Sequence, residues 1–144
     1  FYLRENPGAF VAIAGGSGLA PLLALFEEAA GKVKSDVFFL FGVREQRDLY
    51  GLKEIEALAK KWKGKFEFHP VLSHEKEGTT WKGARGLVDD FLPVDQKGKF
   101  QTAYLCGPPG MIDSAIPGLK NLGIKGDQIF FDKFSDRSHI LKAQ

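Results

Sequence analysis

A run of seven residues, Gly15-Gly16-Ser17-Gly18-Leu19-Ala20-Pro21, lies between a pattern typical of a strand and one typical of a helix. A turn from a strand into a helix leaves backbone N–H groups unpaired at the positive end of the helix dipole. Glycine lets an anion approach those groups without a Cβ atom in the way. We place Pro21 at the first helical position, where its missing N–H costs nothing. The run predicts a pyrophosphate site, although a plain tight turn would also need these glycines.

This glycine run matches none of three common motifs. The Gly-Lys pairs of the chain are followed by Val33, Phe66 and Phe100 and not by Ser or Thr, so the sequence contains no P-loop. The fingerprint G-x-G-x-x-G fails from any starting glycine, which argues against a Rossmann dehydrogenase. A nucleophile elbow, G-x-S-x-G around Ser17, would need glycine where Leu19 stands. A hydrolase that uses Ser17 is therefore a minor alternative.

Two charged residues, Arg44 and Asp48, follow the second predicted strand. Ligands of open parallel sheets bind outside the carboxyl ends of the strands, and a nucleotide ribose reaches the end of the second one. Both residues are therefore candidates for ribose recognition. In the alternative, Asp48 caps the next helix and Arg44 is a solvated surface charge.

A turn with little side-chain bulk, Cys106-Gly107-Pro108-Pro109, follows the fourth predicted strand and precedes Gly110 and Met111. Its prolines make it rigid, and a flat ring could lie on it. Taken alone, the cysteine could equally be a small buried hydrophobe. The fifth predicted strand leads into Asp132-Lys133-Phe134, which by itself indicates only a strand end with a solvated charge pair.

Short β-branched and aromatic runs alternate with amphipathic stretches, which is typical of a parallel sheet covered by helices. We predict an α/β fold with a three-layer, doubly wound, five-stranded parallel sheet. The predicted strands span residues 10–14, 37–43, 66–72, 102–106 and 128–131. The predicted helices span residues 21–30, 52–62 and 111–122, with a surface loop at 73–84 and a short helix at 87–92. Pro117 predicts a bend in the last long helix.

The composition excludes several classes of protein. A chain of 144 residues predicts one domain. The net charge of +2 comes from 20 Lys and Arg scattered among 18 Asp and Glu, so we expect no nucleic-acid partner. One cysteine and three dispersed histidines predict no disulfide and no metal site. The longest apolar stretch, residues 19–26, is far shorter than the roughly 20 residues of a membrane span, so we expect a soluble, cytoplasmic protein.

Taken together, the motifs resemble the pyridine-nucleotide-binding half of the ferredoxin–NADP reductase family. They are Gly15 to Pro21, Gly42-Val43-Arg44 with Asp48-Leu49-Tyr50, Cys106-Gly107-Pro108-Pro109, and Asp132-Lys133-Phe134. The resemblance extends from about residue 10 to residue 134 and implies a Rossmann-like nucleotide-binding domain. It is strongest to the oxygenase-type NADH reductases, such as those of methane, phenol and toluene monooxygenases. The flavin subunit of the sodium-pumping NADH:quinone reductase is also similar.

The resemblance also implies a set of nucleotide-binding residues. They are Gly15, Gly16, Ser17, Gly18, Arg44, Asp48, Cys106, Gly107, Pro108 and Met111. The first turn would hold the pyrophosphate, the charged pair would approach the adenosine ribose, and Met111 would lie towards the adenosine. The Cys-Gly-Pro turn would place the nicotinamide against a flavin. Cys106 and Phe134 would serve the hydride-transfer step, the first as a positioning group beside the nicotinamide and the second beside the isoalloxazine.

The implied cofactors are NADH, with NADPH less favoured, and FAD in the full-length protein. Hydride would pass from nicotinamide C4 to flavin N5, and single electrons would then reach an acceptor such as an iron–sulfur domain or an oxygenase component. The plant-type iron–sulfur spacing C-x4-C-x2-C is absent from this sequence. Many relatives carry Glu where this chain has Asp132, so the role of that carboxylate stays open. A nucleotide-sensing domain without a flavin partner is a further alternative.

The family's flavin-binding module has no counterpart in the sequence, and the chain begins with Phe1 and not with Met. We therefore expect a piece of a longer protein that is inactive without that module. Residues 1–9 would end the flavin module or form a linker, residues 10–135 would be the NAD(P)-binding domain, and residues 136–144 would be a C-terminal tail. The missing part could also associate with a membrane.

Overall fold

The computed structural model describes residues 1–4, 7–76 and 78–134, and six parallel strands of this part of the chain form one sheet. The strands are β1 (Phe10–Gly15), β2 (Val37–Val43), β3 (Phe66–Leu72), β4 (Ala84–Arg85), β5 (Thr102–Gly107) and β6 (Ile129–Lys133). Their order across the sheet is β4-β3-β2-β1-β5-β6. The predicted parallel α/β sheet is confirmed, but the predicted number of five strands was wrong.

The additional strand, β4, lies at one edge of the sheet. It pairs with the end of β3 through Val71 with Ala84 and Leu72 with Arg85. The backbone N–H of Gly86 extends this pairing with a hydrogen bond to the Leu72 carbonyl. Two residues are too few to show an alternating pattern, so the sequence indicated a loop ending at residue 84.

Helices cover both faces of the sheet, as predicted. They are α1 (Leu19–Ala29), α2 (Leu52–Lys61) and α3 (Pro109–Asn121). In β1, Phe10, Ala12 and Ala14 pack with residues of α1 and α2, whereas Val11 and Ile13 pack with residues of α3. Because both faces of the strand are buried, β1 is continuously apolar and does not alternate with polar residues.

Two details of the helices differ from the prediction. Pro21 is the third residue of α1 and not the first. It still costs no hydrogen bond, because the first four N–H groups of a helix have no partner within it. The last helix runs through Pro117 to Asn121, and the predicted bend at the proline stays a prediction. The short helix predicted at residues 87–92 is a 3₁₀ turn, Val88–Phe91.

Residues 1–4 are irregular and lie against β5 and β6. The Arg4 backbone N–H donates to the Tyr104 hydroxyl at 3.1 Å, and the Arg4 guanidinium stacks 3.9 Å from the Phe130 ring centroid. The predicted domain boundaries stay predictions, and the predicted tail at 136–144 lies outside the described residues. No helix in the described ranges has the length and apolar character needed to cross a membrane.

Candidate functional site

The candidate site lies at the end of β1, where the order of the strands across the sheet changes direction. Strands β2 and β3 lie on one side of β1, whereas β5 and β6 lie on the other side. Ala14 near the end of β1 is paired with Cys106 near the end of β5. Such a reversal opens a crevice at the carboxyl ends of the two strands, where ligands of open α/β sheets bind.

The glycine-rich turn of β1 enters this crevice. Gly15 ends β1, and residues Gly16–Gly18 form one 3₁₀ turn before α1 begins. Gly16 has φ +52°, a conformation that favours glycine, and a Cβ atom built on it would meet no atom within 4 Å. The backbone at Gly16 is therefore open to an approaching ligand, as a phosphate-binding turn requires.

The turn that follows β5 packs directly against the glycine turn. A Cβ atom on Gly18 would overlap the carbonyl group of Cys106, and one on Gly15 would lie 3.0 Å from Cδ of Pro108. A Cβ atom on Gly107 would lie 3.0 Å from the Gly15 nitrogen. Three glycines thus allow the two strand ends to approach each other closely.

A cavity of about 740 Å³ opens beside the two turns on the α3 side of the sheet. Binding pockets for small molecules typically measure about 300–1,000 Å³, so the volume suits a nucleotide. Six of the predicted site residues line it. They are Gly15, Gly16, Arg44, Asp48, Pro108 and Met111. The structure thereby brings together residues from the ends of three elements that are distant in sequence.

The other predicted residues do not line this cavity. Ser17 is exposed on the turn, whereas Gly18 and Gly107 are buried between the two strand ends. Cys106 is completely buried in the core on the α1 side of the sheet. This burial supports the alternative that Cys106 packs as a small hydrophobe, and it keeps the thiol out of direct contact with a ligand in the cavity. Phe134 is half-buried against the same core.

Burial also controls the ionisation of Cys106. Loss of solvation raises the pKa of its thiol to about 11, and the negative charge of Asp132 contributes in the same direction. The thiol is therefore neutral at physiological pH. A neutral, buried thiol is a poor nucleophile, which agrees with a positioning role and not with covalent catalysis.

Arg44 and Asp48 both reach the cavity from the end of β2. One carboxylate oxygen of Asp48 accepts a hydrogen bond of 3.0 Å from the backbone N–H of Glu45. This bond closes the 3₁₀ turn Gln46–Asp48, whereas α2 is preceded by Gly51 as its N-cap. The alternative that Asp48 caps the next helix was therefore wrong.

The C-terminal end of β6 is held beside the turn after β5. The Phe134 backbone N–H donates to the Gly107 carbonyl at 2.8 Å. The Lys133 ammonium group forms an ion pair of 2.8 Å with Asp113 on α3. Phe134 is thereby placed next to the Cys-Gly-Pro turn, as its predicted role requires.

Sequence reasoning assigned no site role to the other ten residues of the cavity wall. They are Gly42, Val43, Val71, Ser73, Gly86, Leu87, Val88, Asp89, Gly110 and Ser114. Ser73 directly follows β3, so the rule that placed Arg44 after β2 could have found it. Leu87, 56% exposed, follows the unpredicted strand β4, so no signal indicated it.

Sequence reasoning also assigned no role to Tyr50. Its hydroxyl donates a hydrogen bond of 2.9 Å to the Gly16 carbonyl, and its ring packs edge-on against Phe41. Burial raises the pKa of the Tyr50 hydroxyl, an effect that the Leu19 backbone N–H opposes. The hydroxyl therefore keeps its proton at neutral pH.

The described residues include no group of three or more His, Cys, Asp or Glu side chains that could hold a metal ion. The titratable groups at the cavity are Arg44, Asp48 and Asp89. With an open glycine turn and a partly apolar wall, this arrangement can bind and orient a nucleotide.

Comparison with known families gives one match that covers most of the chain. Residues 12–116 match the family model described as the oxidoreductase NAD-binding domain. This range contains the glycine turn, both charged residues after β2 and the Cys-Gly-Pro turn.

Two curated relatives and one solved structure are similar over nearly the whole chain. The electron transfer component of xylene/toluene monooxygenase from Pseudomonas putida is 43% identical over 138 residues, which cover 95% of this chain and 39% of that protein. A component of the Na(+)-translocating NADH-quinone reductase of Pseudoalteromonas atlantica is 28% identical, over 93% of this chain and 34% of that protein. A cytochrome P450 reductase from Amycolatopsis superimposes with a TM-score of 0.78 at 30% identity, over 92% of this chain and 39% of that one. The chain thus spans about two fifths or less of each of these proteins.

Proposed function

Because this chain belongs to the oxidoreductase NAD-binding domain family, we propose that it holds NADH for a flavin-dependent electron-transfer reductase and orients the nicotinamide for hydride transfer. The observation that carries the proposal is the contact of the glycine turn with the Cys-Gly-Pro turn beside a cavity of about 740 Å³. When bound, the nucleotide supplies the hydride, and this domain supplies binding and orientation.

The residues of the site divide into three groups along a bound dinucleotide. The open backbone of residues 15–18 would donate N–H groups to the pyrophosphate. Arg44 and Asp48 at the end of β2 would face the adenosine ribose, and Met111 would face the adenosine. The turn at Gly107 and Pro108 would carry the nicotinamide ring.

Cys106 and Phe134 would act on the nicotinamide end without covalent chemistry. Cys106 is buried and neutral, so it would act as a positioning residue through the turn that it holds against Gly18. Phe134, which is tied to the Gly107 carbonyl, would flank the flavin ring of the whole protein.

We further propose that NADH is preferred over NADPH. Asp48 can accept a hydrogen bond from a ribose 2′-hydroxyl and would repel a 2′-phosphate. Arg44 could pair with that phosphate, so the two side chains have opposite effects. The resemblance to oxygenase-type NADH reductases supports the preference for NADH.

The whole protein would combine this domain with an FAD-binding module and would pass electrons to an oxygenase or an iron–sulfur domain. The Pseudomonas putida relative is an electron transfer component of a monooxygenase, which supports this choice of acceptor. The similarity to a component of the sodium-translocating reductase supports a quinone reductase as the second candidate, at lower identity. We propose a cytoplasmic location for the oxygenase-type enzyme.

Calorimetry on the 144-residue chain tests the core of the proposal. We expect weak but saturable binding of NADH and of ADP-ribose, which lacks the nicotinamide, and no binding of FAD. The binding of NADH should be weak because its nicotinamide lacks the flavin stacking partner in this chain. Tight FAD binding, or no nucleotide binding at millimolar concentration, would refute the proposal.

A further inference from the structure

The side chain of Tyr50 crosses from the segment before α2 to the glycine turn. Its hydroxyl donates to the Gly16 carbonyl at 2.9 Å. The ring itself is held in place, since its centroid lies 5.7 Å from that of Phe41 in an edge-on arrangement. The following residue, Gly51, has φ +71° and packs so closely on Leu19 that a Cβ atom there would lie 2.7 Å from the Leu19 side chain. The position of the hydroxyl is thus set by its surroundings.

The peptide group between Gly16 and Ser17 lies at the start of the 3₁₀ turn Gly16–Gly18, where the backbone hydrogen bonds of a single turn restrain it. Gly16 carries no side chain, and a Cβ atom at this position would meet nothing within 4 Å. A glycine with positive φ next to open space can rotate its peptide plane without steric cost. The Tyr50 hydroxyl adds to this turn a side-chain hydrogen bond that opposes the rotation.

A trans peptide is planar, and its C=O and N–H groups point in opposite directions. A hydrogen bond that holds the Gly16 carbonyl towards Tyr50 therefore turns the Ser17 N–H away from Tyr50. Ser17 is exposed and is the second residue of the 3₁₀ turn, where N–H groups have no partner within the helix, so this N–H can meet an anion. One hydroxyl group consequently sets the direction of a backbone donor on the next residue.

We propose that Tyr50 is a positioning residue that locks the Gly16–Ser17 peptide, so that the Ser17 N–H is oriented for the pyrophosphate before the nucleotide arrives. The inference rests on the proposed function and assigns a residue to its phosphate-binding step. A donor that is already oriented needs no ordering upon binding, and this saving raises the affinity for the ligand. Because burial raises the pKa of Tyr50, the hydroxyl remains a donor at neutral pH.

The test compares Tyr50→Phe with Tyr2→Phe in the 144-residue chain. The first variant keeps the ring that packs on Phe41 and removes only the hydroxyl. The second removes a hydroxyl from an exposed tyrosine far from the site. The probe is ADP-ribose, and its affinity is measured by calorimetry. We expect Tyr50→Phe to weaken ADP-ribose binding about three- to tenfold, as loss of one hydrogen bond predicts, and Tyr2→Phe to leave it unchanged.

A spectroscopic measurement separates this role from a general loss of stability. In the unliganded chain, the ¹H–¹⁵N resonance of the Ser17 amide should shift or broaden in Tyr50→Phe and stay in place in Tyr2→Phe. Wild-type affinity in Tyr50→Phe, or an unchanged Ser17 resonance, would overturn the inference while the proposed function stands. Failure of the wild-type chain to bind ADP-ribose would instead refute the proposed function.

Discussion

The carbonyl group of Cys106 occupies the space beside Gly18 where the Cβ atom of any other residue would lie. The same Cβ atom would lie 2.9 Å from the Gly107 nitrogen. This contact joins the start of α1 to the end of β5 at the reversal point of the sheet. The two turns that would hold the pyrophosphate and the nicotinamide are therefore one packed unit, in which a shift of one turn displaces the other.

Replacement of Gly18 by alanine should destabilise the fold, because the new Cβ atom meets backbone and not a flexible side chain. We expect the free energy of unfolding to fall by about 2–4 kcal/mol in urea denaturation. Gly110→Ala is the matched control. Gly110 lies in α3, and a Cβ atom there meets no atom within 4 Å. This control should be neutral or stabilising by up to about 1 kcal/mol. Equal stability of both variants would contradict the packing described here.

The thiol of Cys106 should resist alkylation in the folded chain. Its raised pKa of about 11 and its full burial keep the thiolate population low at pH 8. Iodoacetamide should therefore modify the folded protein far more slowly than the protein in urea, as followed by mass spectrometry. Rapid modification of the folded chain at pH 8 would show that the thiol is accessible and ionised.

The same pKa shift predicts a loss of stability in alkaline solution. The folded state holds the thiol proton more tightly than the unfolded state, whose reference pKa is 9.0. The stabilisation is complete below pH 9 and is lost as the pH rises from 9 to about 11. We expect the unfolding free energy of wild type to fall relative to that of Cys106→Ala by about 2–3 kcal/mol over this window. A difference that is constant with pH would contradict the shift.

In the full-length reductase, Cys106→Ala should slow flavin reduction more than it weakens nucleotide binding. A displacement of about 1 Å at the nicotinamide can cost on the order of a hundredfold in rate. Stopped-flow reduction at saturating NADH measures this step, and a thermal melt of the same variant measures stability. An unchanged rate with a lower melting temperature, as expected from a cavity that costs about 1–2 kcal/mol, would mean that Cys106 only packs in the core.

The preference between NADH and NADPH should respond in opposite directions to changes at Asp48 and Arg44. Asp48→Asn keeps an oxygen that can accept from the Glu45 N–H but removes the charge that would repel a 2′-phosphate. We expect this variant to move the kcat/KM ratio towards NADPH by about tenfold, since one charge contact is worth about 1–2 kcal/mol. Arg44→Ala should move the ratio towards NADH. A shift of the kcat/KM ratio in the same direction in both variants would contradict the opposite roles assigned to Asp48 and Arg44.

Much of the fold could be predicted from local patterns. The bounds of β2 and β3 agree with the prediction, and the ends of β1 and β5 differ by one residue. Strands β1, β2 and β5 are mostly apolar and buried on both faces, whereas β3 alternates Phe66 and Phe68 with Glu67 and His69. Both patterns give a strong local signal. The two-residue strand β4 gave none, because it exists only through its pairing with Val71 and Leu72. Because β4 was not predicted, the position of Leu87 and its neighbours on the cavity wall was not predicted either.

The chemistry of the turns could be predicted from local residues, because glycine and proline restrict or free the backbone at their own positions. An open glycine turn after β1 and a rigid turn after β5 were predicted in this way. Only the folded structure shows that Gly18 contacts Cys106, that Tyr50 hydrogen-bonds the Gly16 carbonyl, and that the Cys106 thiol is buried. These contacts depend on strand order and register across the sheet, which arise from packing between distant segments and leave no periodic signal in the sequence.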